Sequence, residues 1–200
     1  MSTTPAPKRS TMLVRMELRL SSDGTDASTS RIVRWEILKG LPTEGPIPKY
    51  FHLGHPTPSS EGFVVRFLNA DGTDWVGNFR CGWGLGTVVD WPEASILIVI
   101  AYGACYFLQK SDPLRYVHHG SGVTSALLDE TRMLLILAYQ GGDLFAYGHD
   151  GHEVWNRRNL AVDGIQLKGC KAGVITADIE YDYEGSWKTA HVSVADGSDL

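Results

Sequence analysis

Apolar and polar residues alternate in two stretches near the start of the chain. Between positions 12 and 20 every even position is apolar, and between positions 31 and 38 the side chains of Val33, Trp35 and Ile37 share one apolar face. A period of two with one apolar face predicts a half-buried β-strand. The sequence therefore predicts two strands before residue 40.

A β-hairpin is predicted around Asp71-Gly72. Apolar runs at 63–68 and 75–79 flank this dipeptide, and Asp-Gly between two apolar runs is a strong turn signal. We expect two paired strands here.

One pattern occurs twice in the middle of the chain. Residues 88–103 and 125–140 each contain a polar turn, an apolar run and Ala-Tyr, with a shift of 37 residues. The β-branched residues of the first copy favour a strand. The second copy, with Ser125 as a cap and many leucines, also fits a helix. Because repeats share a structure, we predict strands in both copies and keep a helix at 125–139 as the alternative.

The region 40–62 is predicted to be a long loop. It holds five of the nine prolines, and proline cannot donate a hydrogen bond within a sheet, which excludes a central strand. Long loops in compact domains are usually functional or disordered. Tyr50, Phe51 and His52 are therefore candidates for contact with a partner. His52 and His55 lack a nearby carboxylate or cysteine and make a weak zinc site.

Turn signals recur along the chain at intervals of 38 to 48 residues. They are Asp23-Gly24, Asp71-Gly72, Asp112-Pro113, Asp150-Gly151 and Asp196-Gly197. After two of these turns an acidic residue is followed by a tryptophan, Trp75 in one case and Trp155 in the other. A period of about 40–50 residues built from short strands is typical of propeller blades.

On these residues the segment 63–197 resembles the blades of quinoprotein-like and other β-propellers. The Trp-Asp dipeptide that ends WD40 blades is absent; the tryptophan at 91 follows Asp90. The resemblance implies an all-β fold, β-propeller-like or built of stacked antiparallel sheets, with about four blade-like repeats. It implies the fold and no quinone cofactor. We expect a disordered tail at 1–10 and a single β-repeat domain at 11–200.

Composition narrows the class of protein. The 200 residues are 43% hydrophobic and 20% charged, with a net charge of −5, which is typical of a globular domain. The acidic balance argues against nucleic-acid binding and fits a basic protein partner. The longest apolar run is too short to span a bilayer. Without an apolar leader or a disulfide-like cysteine pattern, we predict a cytoplasmic protein that does not bind membranes.

Motifs of catalysis and metal binding are weak. The segment 149–153 offers two histidines and two carboxylates, but Asp150-Gly151 is needed for the turn. Gly82, Gly84 and Gly86 lack the helix and lysine of a phosphate loop, and Gly-x-Ser-x-Gly is absent. Cys81, Cys105 and Cys170 are too widely spaced for a zinc site. We therefore predict no metal and no cofactor.

Two further clusters are candidates for partner binding. His118-His119 lies on a connection between repeats, where propellers often bind ligands. The acidic and aromatic run 181–184 has residue types that are favoured at interfaces, and alternation places Tyr181 and Tyr183 on one face. The predicted partner-binding residues are Tyr50, Phe51, His52, Trp83, His118, His119, Tyr181, Asp182, Tyr183 and Glu184.

Three functions fit this sequence. The favoured one is a non-enzymatic protein-binding module, such as a cytoplasmic inhibitor or immunity-type protein for a basic toxin. The first alternative is a hydrolase that uses His118, His119, His149 or Asp150. The second alternative is a carbohydrate or small-ligand binder that uses Trp83 and Tyr102.

Overall fold

Strands account for almost all the regular structure in the residues that the computed structural model describes, 31–51 and 61–200. The predicted tail, the strand at 12–20, the turn at Asp23-Gly24, His52 and His55 lie outside these ranges. The strands are β1 Ile32–Leu38, β2 Lys49–Phe51, β3 Phe63–Asn69, β4 Asp74–Phe79, β5 Thr87–Trp91, β6 Ile96–Ala101, β7 Ala104–Gln109, β8 Asp112–His118, β9 Val123–Leu128, β10 Leu135–Tyr139, β11 Asp143–Tyr147, β12 Glu153–Arg157, β13 Ile165–Lys171, β14 Val174–Glu180 and β15 Trp187–Ser193. A short 3₁₀ helix, Pro92–Ala94, separates β5 from β6.

The strands form four sheets that follow one another along the chain. The first has the order β1-β3-β4-β2, the second β5-β6-β7-β8, the third β9-β10-β11-β12 and the fourth β13-β14-β15. All neighbouring strands are antiparallel except β2 and β4. The prediction of an all-β, propeller-like fold with about four blade-like repeats is confirmed.

Three apolar layers fill the spaces between successive sheets. Phe67 and Tyr106 belong to the layer between the first and second sheets. Phe107 belongs to the next layer, and Ile136 to the layer between the third and fourth sheets. Alternate residues of β6 and of β10 enter different layers, so both faces of these strands are buried. This explains why their sequences are continuously apolar rather than alternating.

The helix alternative at 125–139 is wrong. The segment folds into β9, a turn and β10, which matches the β5–β6 hairpin of the first copy. Asp129 fixes the turn by accepting hydrogen bonds from the backbone N–H groups of Thr131 (3.1 Å) and Leu134 (2.6 Å). Arg132 has a φ of 58°, which is outside the range of a right-handed helix.

The predicted hairpin around Asp71-Gly72 is confirmed by the pairing of β3 with β4. The carboxylate of Asp71 accepts a hydrogen bond from the N–H of Thr73 at 2.9 Å, and Asp150 and Asp196 do the same for the second residue after them. Asp112-Pro113 behaves differently, because Asp112 is already the first residue of β8.

Strand β1 differs in part from its prediction. A bulge interrupts its pairing with β3 between Ile32 and Arg34. The extra residue reverses the alternation, so Ile32 and Trp35 face the first apolar layer while Val33 is exposed. Ile37 is exposed as well.

The proline-rich region contains one strand that the sequence did not predict. Strand β2 pairs with β4 in parallel at the edge of the first sheet, where proline-flanked strands are tolerated. It places Phe51 in the first layer, stacked on Phe79 at 4.3 Å between ring centroids.

Candidate functional site

The connections between strands lie on two opposite rims. One rim holds the connections 80–86, 102–103, 119–122, 140–142, 158–164 and 181–186; we call it the aromatic rim. The other holds the turns 70–73, 92–95, 110–111, 129–134, 148–152, 172–173 and 194–197; we call it the turn rim. This separation follows from the antiparallel order, because successive connections leave from opposite ends of the strands.

Backbone hydrogen bonds join neighbouring connections of the aromatic rim. The N–H of Leu85 donates to the carbonyl of Val123 at 2.8 Å, and the N–H of Gly103 donates to that of Leu85 at 2.7 Å. Gly84 has a φ of 141°, and a Cβ there would lie 2.3 Å from the Val123 carbonyl oxygen. The glycine run 82–86 therefore provides close backbone packing, as expected, and holds Trp83 in a fixed position.

Large aromatic side chains project from this rim. Trp83 is 82% exposed and Tyr183 is 96% exposed. Tyr102, Tyr181 and Trp187 are each about half exposed. Since tyrosine and tryptophan are enriched at interfaces, their concentration on one rim marks it as the candidate binding surface.

The connection 181–186 is a fixed turn and not a strand, but Tyr181 and Tyr183 still line one depression, together with Lys188. The carboxylate of Asp182 accepts hydrogen bonds from the N–H groups of Glu184 (3.0 Å) and Ser186 (2.9 Å). The bond from Ser186 is the main cause that lowers the pKa of Asp182. Asp182 thus shapes the loop, while Tyr183 is left free at its tip.

Trp83 stands between two depressions of the rim. The first has a volume of about 240 Å³ and is lined by Arg80, His118, Ser121 and the ring of Tyr106. The second, of about 370 Å³, is lined by Thr124, Gln140, Asp163 and Gly164. The indole borders both.

His118 and His119 face different apolar layers. The ring of His118 packs edge-on against Tyr106 at 4.9 Å, in the first layer. The ring of His119 lies 4.3 Å from Phe107 and 4.6 Å from Tyr147, in the second layer. Adjacent residues at the end of a strand point to opposite faces, so the two rings do not line one site.

Both histidines favour the neutral form. Burial, followed by the nearby positive charge of Arg80, lowers the pKa of His118. Burial and the charge of His118 lower the pKa of His119 to about 4. Burial also raises the pKa of the Cys81 thiol, which leaves it protonated and weakly nucleophilic.

The residues of the predicted hydrolase site do not form one cluster: His119 lies close to the backbone of Gly151 and to the charge of Glu153, but His149 points elsewhere. His149 lies on the turn rim, where Nε2 donates to the carbonyl of Arg132 at 2.9 Å and the ring contacts Trp91. Asp150 is occupied by its turn, as predicted. Within residues 31–51 and 61–200, no group of three or more His, Cys, Asp or Glu side chains is arranged to hold a metal ion.

The structure places the remaining predicted residues as follows. Tyr50 is partly exposed on β2, at the outer edge of the first sheet. Phe51 is only 1% exposed, so its predicted role as a contact residue is corrected to a role in the core. Trp83, Tyr181, Tyr183 and Glu184 are exposed on the aromatic rim.

Sequence reasoning missed Arg80 and Asp163, which border the two depressions beside Trp83. It also missed Lys188, whose Nζ lies 5.3 Å from the ring centroid of Tyr181. No motif contains these residues. Each lies on the aromatic rim because a strand begins or ends close to it. The only signal in the sequence was their proximity to the Gly-rich and acidic–aromatic segments.

Comparisons with known proteins concern the fold. No family model matches the chain, and no curated protein matches it. Among solved structures, the β-propeller domain of Cps50 (Swd1) from Myceliophteria thermophila is similar over 60% of this chain and 38% of its own, with 17% identity and a TM-score of 0.42. BamB from Moraxella catarrhalis is similar over 84% of this chain and 50% of its own, with 14% identity and a TM-score of 0.45. The chain thus spans half or less of these structures.

No helix in the described part of the chain is long and apolar enough to cross a membrane.

Proposed function

We propose that this protein binds another protein through the aromatic rim, with Trp83 at the centre of the contact. The observation that carries the proposal is the placement of Trp83, which is almost fully exposed although its backbone is firmly held. An exposed indole on a rigid loop loses little conformational entropy on binding, and tryptophan is enriched among the residues that dominate interface energies.

The fourth sheet supplies the second part of the surface. Tyr183 stands at the tip of a loop that Asp182 already orders, so binding does not have to order it. Lys188 lies over the ring of Tyr181. Together these residues extend the aromatic surface outward from the depressions beside Trp83.

The proposal is tested by comparing Trp83→Ala and Tyr183→Ala with a control on the opposite rim. Met133 is a suitable control, because it is 53% exposed on the turn rim. The tagged protein is used to capture partners for mass spectrometry, and the affinity of a recovered partner is then measured for each variant. We expect Trp83→Ala to cost about 2 kcal/mol of binding free energy, or roughly 30-fold in Kd, and Met133→Ala to have no effect. Equal losses of affinity in all three variants would refute the proposal. So would unchanged affinity in both Trp83→Ala and Tyr183→Ala.

The narrower role, a cytoplasmic inhibitor of a basic toxin, predicts that acidic groups of the rim meet the partner. The exposed carboxylate of Glu184 beside Tyr183 supports this form. In this form of the proposal, Glu184→Gln should make binding less sensitive to salt. The variant lacks a charge pair with the partner that salt would otherwise screen. An unchanged salt dependence would remove the basic partner from the proposal.

A small-ligand or carbohydrate site is the second candidate, favoured by one observation. Trp83 and Tyr102 flank Gly103, whose Cβ position would lie 2.3 Å from the Trp83 carbonyl oxygen. In this candidate, the exposed rings of Trp83 and Tyr102 on adjacent connections would each offer a face on which a sugar could stack. Quenching or shifting of Trp83 fluorescence by soluble oligosaccharides, absent in Trp83→Phe, would favour this candidate.

A further inference from the structure

The depression between Trp83 and β8 carries the positive charge of Arg80 without a counter-charge from the residues that the structure describes. Arg80 is exposed at its border. Its guanidinium makes no ion pair or hydrogen bond with any side chain in the described ranges. Among the described residues, Arg66, Arg132, Arg157 and Arg158 each form an ion pair with a carboxylate, whereas Arg31, Arg34 and Arg115, like Arg80, form none.

Among residues 31–51 and 61–200, no acidic group lines the walls of this depression. The lining residues are Arg80, Cys81, Gly82, Trp83, Ala104, Tyr106, His118 and Ser121, and none of them is aspartate or glutamate. The hydroxyl of Tyr106 is already used, since it donates to the Arg80 carbonyl at 2.9 Å. In a chain with a net charge of −5, such a site repels cations locally and attracts anions.

His118 supplies an independent observation. Its Nε2 is buried and has no hydrogen-bond partner among the residues that the structure describes; Nε2 of His119 is in the same state but faces the neighbouring layer and not this depression. A buried polar atom without a partner is costly, and it marks a place where a ligand could complete the hydrogen bonding. Ser121, on the same wall, adds a hydroxyl donor.

We propose that the depression formed by Arg80, His118 and Ser121 is an oxyanion subsite, which receives a carboxylate that the partner protein presents beside Trp83. The proposal rests on the function proposed above and specifies the chemistry of the partner at this point. Arginine binds a carboxylate through two parallel N–H groups, and the indole next to it packs against the aliphatic part of the same side chain or chain terminus.

The subsite makes a physical prediction about His118. The ionisable groups near its ring are Arg80 and Cys81 from the connection after β4, Tyr106 from β7 and the neighbouring His119. None of them carries a negative charge below neutral pH. A bound carboxylate would introduce the first nearby negative charge, favour the imidazolium form and raise the pKa of His118.

The first experiment uses the full chain without any partner. The ring signals of the histidines are followed by NMR against pH, in sodium acetate and in sodium chloride of equal ionic strength. We expect acetate to raise the pKa of His118 by roughly one unit and to change that of His119 much less, because its ring faces the other layer and responds to the acetate only through the charge of His118. Arg80→Gln should abolish the response, and Arg115→Gln, an exposed β8 variant outside the depression, should retain it. An equal response in acetate and chloride, or a full response in Arg80→Gln, overturns the subsite.

The second experiment identifies the source of the carboxylate. Once a partner is captured, its affinity is compared for wild type, Arg80→Gln and Arg115→Gln. A tenfold or larger loss in Arg80→Gln alone supports a carboxylate of the partner. Acetate binding together with unchanged partner affinity overturns that assignment in favour of a free small carboxylate. If Trp83→Ala abolishes partner binding while acetate has no effect on His118, the subsite fails and the proposed function stands.

Discussion

Replacing Trp91 by phenylalanine tests how the second and third sheets are held together at the turn rim. Trp91 is 0% exposed, and its Nε1–H donates to the carbonyl of Arg132 at 2.7 Å. The same carbonyl accepts a second hydrogen bond from Nε2 of His149 at 2.9 Å. One acceptor thus joins the end of β5 to two turns of the third sheet.

The magnitude follows from these contacts. Loss of the hydrogen bond costs about 1 kcal/mol, and loss of the indole's second ring from a closely packed layer costs roughly another 1 kcal/mol. For a protein of this size, a total of about 2 kcal/mol lowers Tm by roughly 4–8 °C. The measurement is thermal unfolding followed by circular dichroism, with chemical denaturation as an independent measure of the free energy.

The double variant Trp91→Phe/His149→Leu makes the test specific. Phenylalanine keeps an aromatic ring against residue 149, so the two single changes share little besides the acceptor. Removing both donors leaves the Arg132 carbonyl without either hydrogen bond, which adds about 1 kcal/mol to the sum of the single effects. If the double effect equals that sum within about 0.5 kcal/mol, the shared carbonyl does not couple the sheets and the reasoning is refuted.

Three other changes test separate parts of the fold. Gly84→Ala places a Cβ against the Val123 carbonyl at positive φ, and we expect a loss of at least about 1 kcal/mol in unfolding free energy, seen as a lower denaturation midpoint; an unchanged midpoint would contradict the close packing. Burial alone would raise the pKa of Asp129, but the hydrogen bonds from its turn outweigh burial and lower this pKa. The stabilisation from the carboxylate is therefore present above the unfolded-state pKa and is lost as pH falls through the folded-state pKa. Asp129→Asn should show a flatter acidic limb in a plot of Tm against pH. Lys110 is buried and paired with Asp90. Lys110→Met should lower the free energy of unfolding by roughly 1–3 kcal/mol, which is less than the loss of a fully buried ion pair costs, because Asp90 is partly exposed. A Tm equal to that of wild type would show that the pair does not stabilise the fold.

The sequence predicted those features that depend on local patterns. The Asp71 and Asp150 turns are built by a carboxylate that binds the backbone two residues later, and such bonds can be predicted from neighbouring residues alone. The buried run 96–101 was predicted as a strand because its β-branched residues suit a sheet that is covered on both faces. The comparison of the two repeats favoured strands over a helix at 125–139, and the structure confirms the strands.

The features that sequence reasoning missed depend on contacts between distant residues. The bulge at Val33 exists only in the register of β1 against β3, and the burial of Phe51 depends on the pairing of β2 with β4 across the proline-rich region. His118 ends β8 and His119 follows it, so strand alternation alone points their side chains to opposite faces. The proximity of Arg80 to His118 arises from the packing of one sheet on the next.

The three apolar layers have a consequence for how disturbances travel through the molecule. No layer within the described ranges contains residues of both the first and the fourth sheet, and the far face of the fourth sheet is polar, with the hydroxyl of Thr189 donating to Asp178 at 3.0 Å. Within the described residues, each sheet therefore packs only against its immediate neighbours, as in a linear array of repeats. Amide protons of β14 should keep their exchange rates when Phe67 is truncated, whereas those of β6 should exchange faster.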